Sequence, residues 1–196
     1  MTQDSQIKAD PMALVRLLQD ENGQLPKGPP PVHNWHPPFC GDLPMQIKSN
    51  GEWWYQGSPI TRPALVKLFS SILRRDDEDF YLVTPVEKVR IVVDDAPFVA
   101  VLADKVLDDG VEYLRFRTLT DDVIIVDNDH PLWVDYAANG EPRPYLHVRN
   151  RLNALVARNV FYQLVEWATI QEIDGKPCYA VHSAGQWFAI APVDGD

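Results

Sequence analysis

The sequence predicts an α+β protein of two related units, each with a helix packed on an antiparallel sheet. Three observations carry this. Most of the chain from Met45 onward alternates apolar and polar residues and is broken by Asn-Gly, Asp-Gly and Asn/Asp turns, the signature of hairpin-linked strands. Two later segments instead carry apolar residues at helical spacing. Each of those helices stands between β segments, and each half closes on strand, short turn, strand.

Taken in order, "MALVRLLQDE", residues 12–21, reads as a short amphipathic helix. Leu14, Leu17 and Leu18 lie on one side, Asp10 is the cap, Pro11 is in the first turn and Gly23 is the stop. "GQLPKGPPPVHNWHPPFCGDLP" is rich in proline. It is therefore extended, poor in donors and unsuited to a helix or a central strand. Its Trp35 and Phe39 are expected to pack. "MQIKSNGEWWYQGSPI" reads as a hairpin turning at Asn50-Gly51. "TRPALVKLFSSILRRD" reads as a helix with Thr61 as cap, Pro63 in the first turn, Leu65, Leu68, Phe69 and Ile72 inward, and Arg74 and Arg75 at its end. "DFYLVTPVEKVRIVVDD" reads as two strands joined at Pro85–Glu87. Four strands follow near 98–105, 111–117, 123–126 and 132–136. After the loop "AANGEPRP" and the strand "YLHVR", a second helix is expected from about Asn150, with the stripe Leu152, Leu155, Val156, Val160 and Leu164. "CYAVHSAGQWFAIAP" closes as a hairpin near Ser183–Gly185. The resulting division is an N-terminal helix and proline-rich arm (1–39), an α+β domain (40–96) and a mainly β domain with a helix (97–196).

The chain has 196 residues with 18 Lys+Arg against 28 Asp+Glu, a formal net charge of −10. That balance disfavours phosphate backbones, so nucleic acid is not an expected partner. A basic pocket for a small anion remains compatible with it. Two cysteines, Cys40 and Cys178, point to a reducing compartment. No apolar run approaches the roughly 18 residues of a membrane helix, so a cytoplasmic protein off the membrane is expected. The acidic pairs at 76–77, 94–95, 108–109 and 121–122 read as solvated turns rather than a cation loop.

No catalytic pattern stands out. The G-x-G-x-x-G and Walker motifs are absent, as is the G-x-S-x-G elbow that would make Ser183 beside His182 a nucleophile. His33, His36 and Cys40 match no zinc spacing, and Cys178 lies in a strand pattern. Glu87 and Asp95 as an acid/base pair have nothing to fix their separation. The expected chain therefore carries no cofactor and no metal, and it leans away from catalysis.

The stronger candidates are cationic. Lys88 and Arg90 alternate on a strand and share the face opposite the core. Arg149 lies in the alternating run His147, Arg149, Arg151. Arg62 stands at a helix start, where backbone N–H groups favour an anion. Trp54 or Tyr145 would stack on a ring. Trp53 and Trp54 are neighbours on one strand, so one is core and the other is free. The competing expectation is that these cations pair with nearby carboxylates.

"NWHPPFCGDLPMQI", "GSPITRPALVKLFSSILRRD", "FYLVTPVEKVRIVVDDAPFVAV", "DHPLWV" and "PRPYLHVRNRLNALVARNVFYQLV" resemble, in this order from about Val32 to Pro192, the uncharacterised bacterial family known as domain of unknown function 1285. The resemblance implies two related domains, the second superficially like a pleckstrin-homology fold. It also implies a nucleotide-like ligand at the domain interface and a role in signal transduction. It carries over no catalytic residue. Thr61 stands where the family has a smaller residue such as Gly, and "HSAGQWF" is less glycine-rich than the family turn. The expected function is thus a non-enzymatic binding or sensor protein for a small anionic, nucleotide-like ligand at the interface between its two domains, met by Arg62, Lys88, Arg90, Trp54, Tyr145 and Arg149. The alternatives are a protein-interaction module that engages a protein partner and an enzyme with an unrecognised site.

Overall fold

Helix α1 (Pro11–Leu17) forms where expected, because the Asp10 carboxylate accepts the Met12 N–H at 3.0 Å and Pro11 needs no donor partner. The structure, a computed structural model, describes residues 10–25 and 28–193. Leu14, Val15 and Leu18 are buried, whereas Leu17 is 38% exposed. The inward row thus includes Val15 in place of the expected Leu17. Spacing alone does not say which of two adjacent rows meets the core.

The chain divides into two units, Met1–Asp94 and Asp95–Asp196. In the first, β1 (Phe39–Ile47), β2 (Trp53–Tyr55), β3 (Ser58–Pro59), β4 (Leu73–Asp76), β5 (Asp79–Val83) and β6 (Lys88–Val93) form one sheet, sheet A. Its order is β3-β2-β1-β6-β5-β4, and only β1 and β6 run parallel. Two expectations change here. Strand β1 starts at Phe39, inside the proline-rich stretch, and is a central strand. Pro44 is tolerated because the register with β6 shifts between Asp42 and Gln46, so its missing N–H falls in a gap of the ladder. Helix α2 covers only Pro63–Ser71, and its cap position is Arg62 with no side-chain cap bond, not Thr61. Arg74 and Arg75 lie on β4, not on the helix. Leu73 pairs with Leu82 across the ladder, and that pairing overrides helical continuation. The Asn50-Gly51 turn is wider than a two-residue hairpin, with Gly51 N–H on the Lys48 carbonyl. The tight two-residue turn is Gln56-Gly57, with φ of 49° and 77°.

Trp53 (2% exposed) stacks on Phe69, with ring centroids 6.3 Å apart, and stands opposite the buried Ile47 on β1. Trp53 is therefore the core tryptophan. Residues 32–34 make a short 3-10 turn that buries Val32. The proline-rich arm is poor in donors, and Arg74 Nη1 donates to its Val32 and Trp35 carbonyls at 2.9 and 2.7 Å. Arg74→Ala is expected to cost about 1–3 kcal/mol and to speed proteolytic cleavage within residues 28–38. Arg74→Lys, with no planar fork, should recover only part. Urea titration and timed digestion read by mass spectrometry check this; an unchanged cleavage rate would count against the pin.

In the second unit, β7 (Phe98–Asp108), β8 (Val111–Thr118), β9 (Val123–Ile125), β10 (Leu132–Tyr136), β11 (Pro142–Arg149) and β12 (Leu152–Val156) form sheet B, ordered β10-β11-β12-β7-β8-β9 with β12 parallel to β7. Helix α3 (Arg158–Trp167) follows, then an antiparallel three-stranded sheet C of β13 (Thr169–Ile173), β14 (Lys176–Ser183) and β15 (Gln186–Pro192). The expected helix from Asn150 begins only at Arg158. Leu152, Ala154 and Val156 are buried at alternate positions, a strand period that the apparent helical stripe concealed. Asp77, Asp109 and Asp121 adopt positive φ in turns, as solvated turn residues do.

Read outward from each parallel pair, both six-stranded sheets have the same order, 3-2-1-6-5-4, with strand 1 parallel to strand 6. The repetition therefore lies in strand order. Helix placement does not repeat: α2 joins the third and fourth strands of its sheet, whereas α3 follows the sixth. The closing hairpins are not equivalent either, since β5–β6 belongs to a six-stranded sheet and β14–β15 to a separate one.

Candidate functional site

Lys88, Arg90 and Trp54 share one face of sheet A, as strand alternation requires. Arg90 is opposite Asp42 on β1 and Tyr81 on β5, and Tyr81 is opposite Arg74 on β4. Trp54 lies on the same face, in the row Trp54–Gln46–Val92, one alternation along from Arg90. Arg90 grips Asp42 through two hydrogen bonds of 2.8 and 3.1 Å and approaches Asp79 at 3.5 Å. Lys88 Nζ meets Asp76 at 3.1 Å and sits 4.5 Å from the Tyr81 ring centroid. Arg74 binds the same Asp76 carboxylate through Nε and Nη2 at 2.8 and 2.7 Å. Phe39, 54% exposed, meets the Tyr81 ring edge-on.

Three cations thus face three carboxylates. The Arg90 hydrogen bond holds the Asp42 carboxyl below its ordinary range, and Asp42 in turn raises Arg90. Burial pushes Asp76 up, but hydrogen bonds from Arg74 and Lys88 outweigh it and keep the carboxyl low. Trp54 is half-buried; its indole donates to Glu52 at 3.1 Å, and Lys48 lies 5.8 Å from its ring. Arg62 is exposed at the start of α2; its carbonyl accepts the Leu65 and Val66 N–H groups, and its side chain, among the described residues, makes no hydrogen bond or ion pair.

Tyr145 and Arg149 belong to the second unit and to one strand, β11. The Tyr145 hydroxyl donates to Asp95 at 2.8 Å and accepts from Arg143 at 3.0 Å, while its ring stacks on Trp133. Burial raises the Tyr145 phenol, and its hydrogen bond to Asp95 adds to this. Hydrogen bonds to Tyr145 and Asp95 raise Arg143. Arg149 donates to Asp122 at 2.6 Å and lies 4.9 Å from the Phe98 ring. Asp122 is braced by the Thr118 and Thr120 hydroxyls.

The structure therefore answers the cations with local carboxylates at Lys88, Arg90 and Arg149. Asp76, Asp95 and Asp122, expected as solvated turn residues, instead take ion pairs with Arg74 and Lys88, with Arg143, and with Arg149, whereas Asp42, Asp79 and Arg143 were missed in sequence. Arg143 had a signal, since it alternates with Tyr145 on one strand. The pairings of Asp95 and Asp42 had none, because their partners lie 48 residues or more away.

The remaining candidates are structural. Ser183 is fully buried, with its hydroxyl donating to the Val126 carbonyl at 2.6 Å and accepting from Leu114 N–H at 2.8 Å. His182 instead meets the Trp187 ring at 5.0 Å. Cys178 is buried and Cys40 exposed. Asp95 is taken by Arg143 and Tyr145. Among the described residues, no three His, Cys, Asp or Glu side chains gather closely enough to hold a metal ion. No helix among them is long and apolar enough to cross a membrane.

Two family profiles match the chain: "Domain of unknown function (DUF1285), N-terminal domain" over residues 30–96, and "Protein of unknown function (DUF1285), C-terminal domain" over 97–190. A crystal structure of a DUF1285 family protein from Silicibacter pomeroyi is similar, with 44% identity, a TM-score of 0.82, and coverage of 94% of this chain and 96% of that one. A DUF1285 family protein from Shewanella baltica has 28% identity and a TM-score of 0.50, covering 63% of this chain and 91% of that one. No functionally curated protein matches.

Proposed function

The chain belongs to the DUF1285 family, and from that premise we propose that it is a non-enzymatic binding or sensor protein that takes a small anionic, nucleotide-like ligand. One observation carries this reading: Arg90 is 43% exposed and held by an Asp42 that is 64% exposed. Exposed ion pairs contribute only about 0–1 kcal/mol, so an incoming phosphate or carboxylate can take the guanidinium fork from Asp42 at little cost. Lys88 would supply a second positive charge. Trp54 and Phe39 would offer ring surfaces on the same face. Ligand binding without turnover suits a role in signal transduction. Two free thiols, Cys40 and Cys178, suit the reducing cytoplasm.

The test is calorimetric titration with a panel of nucleoside mono- and diphosphates. At least one member is expected to bind tighter than about 1 mM. Arg90→Ala should weaken it about tenfold or more, and Asp42→Asn, which removes the internal competitor, should tighten it. No binding by any panel member, or the same affinity in Arg90→Ala, would reject the site.

A further inference from the structure

Sheet C carries an aromatic face that the anion reading does not use. Ile170 pairs with Tyr179, and Tyr179 with Ala191, making one cross-strand row; His182 pairs with Trp187 in a second. The register shifts between Tyr179 and Ala180, so burial rather than strict alternation places both rows on one side: Ile170, Tyr179, Trp187 and Ala189 are exposed, whereas Cys178, Ala180, Val181, Phe188 and Ile190 are buried. Ile170 is 58% exposed, Trp187 42% and Tyr179 41%. The His182 ring, 5.0 Å from Trp187 and edge-on, holds the indole in place.

Between the two aromatic walls the chain places only a small side chain, Ala189, which is exposed. The two rows lie three residues apart on β14 (Tyr179 to His182) and four on β15 (Ala191 to Trp187), roughly 10–13 Å along a strand. A turn of polyproline helix is about 9 Å long, so one turn fits the trough. Among the described residues, the Trp187 indole N–H and the Tyr179 hydroxyl have no hydrogen-bond partner. They are donors available to an occupant that offers carbonyl oxygens. A proline-rich chain is such an occupant, since its carbonyls are free and it lacks N–H groups that would compete. Aromatic-lined grooves take this conformation because its ordering entropy is already low.

Charge narrows the partner further. Glu172 alternates with Ile170 on β13, so it stands at the end of this face; it is exposed and, among the described residues, has no ion-pair partner. The chain as a whole carries −10. A ligand with Lys or Arg beside its prolines is complementary to both. We propose that the outer face of sheet C, centred on Tyr179 and Trp187, docks a proline-rich segment with flanking basic residues from a partner protein.

The test uses the full chain and a fluorescein-labelled synthetic peptide of repeated Arg-Pro-Pro-Pro units, titrated by fluorescence anisotropy. Saturable binding tighter than about 1 mM is expected. Trp187→Ala and Tyr179→Ala should each weaken it about tenfold or more. Ala189→Leu, which keeps both rings and fills the trough, should block it. Glu172→Gln should weaken it and flatten its salt dependence. Arg90→Ala should leave it unchanged, which separates this surface from the anion site. Circular dichroism of each variant shows that it is folded. The proposal is overturned by no binding to the wild-type chain, by equal binding of an Arg-Ala-Ala-Ala peptide, or by indifference to both ring deletions and the filled trough. Self-association that disappears in Trp187→Ala, without peptide binding, would overturn it in favour of a second copy.

Discussion

Trp53→Ala is expected to destabilise the first unit by about 3–5 kcal/mol, whereas Trp54→Ala should cost less than about 1 kcal/mol. The two residues are adjacent and chemically identical, so the contrast isolates burial. Trp53 is 2% exposed and stacked on Phe69, and its removal leaves a cavity between β2 and α2 that backbone relaxation closes only partly. Trp54 lies on the opposite face, half-buried, with its indole on Glu52. Urea unfolding followed by far-ultraviolet circular dichroism reads both values. Equal losses would mean that the assignment of the two faces is wrong. The same pair divides the roles: Trp53 variants should lose ligand only by unfolding, whereas a folded Trp54→Ala should lose ring stacking.

Ser183→Ala is expected to cost about 2–4 kcal/mol, because it strands two buried backbone groups at about 1–3 kcal/mol each. The hydroxyl has 0% exposure and bridges the Leu114 N–H and Val126 carbonyl. It thereby ties β14 of sheet C to sheet B in the same unit. The loss should appear as a lower melting temperature and as faster amide exchange at Leu114. A Ser183→Ala protein as stable as the wild type would show that the bridge contributes nothing. The geometry also gives the Ser-His pair in the sequence its meaning. Adjacent strand residues point to opposite faces, so Ser183 is turned into the core while His182 braces Trp187 outside.

Long alternating strands and their turns were legible because each is specified locally. The strands at 98–108, 111–118 and 132–136 alternate in sequence, and Asp and Gly residues mark the turns between them. Two boundaries were not legible. Ile72-Leu73 and Leu152–Val156 have apolar spacings that satisfy a helix and a strand alike; Leu73 opposite Leu82 and Ala154 opposite Phe98 decided for strand. Strand β13 escaped notice because its five residues carry only two large apolar side chains.

The candidate site divides along the same line. Lys88 and Arg90 on one face follow from alternation alone, and the sequence also carried the α+β class, the family and the placement of Trp53 and Trp54 on opposite faces. The sequence did not decide what those cations touch. Asp42 reaches Arg90 only because β1 and β6, far apart in the chain, run side by side in parallel. Tyr145 is occupied only because Asp95 lies beside β11. Which tryptophan is core was likewise settled by where α2 lies. Local propensity and periodicity act over a few residues, so they set elements and faces. Ion pairs and packing across strands depend on contacts between residues tens of positions apart, which only the assembled sheets bring together.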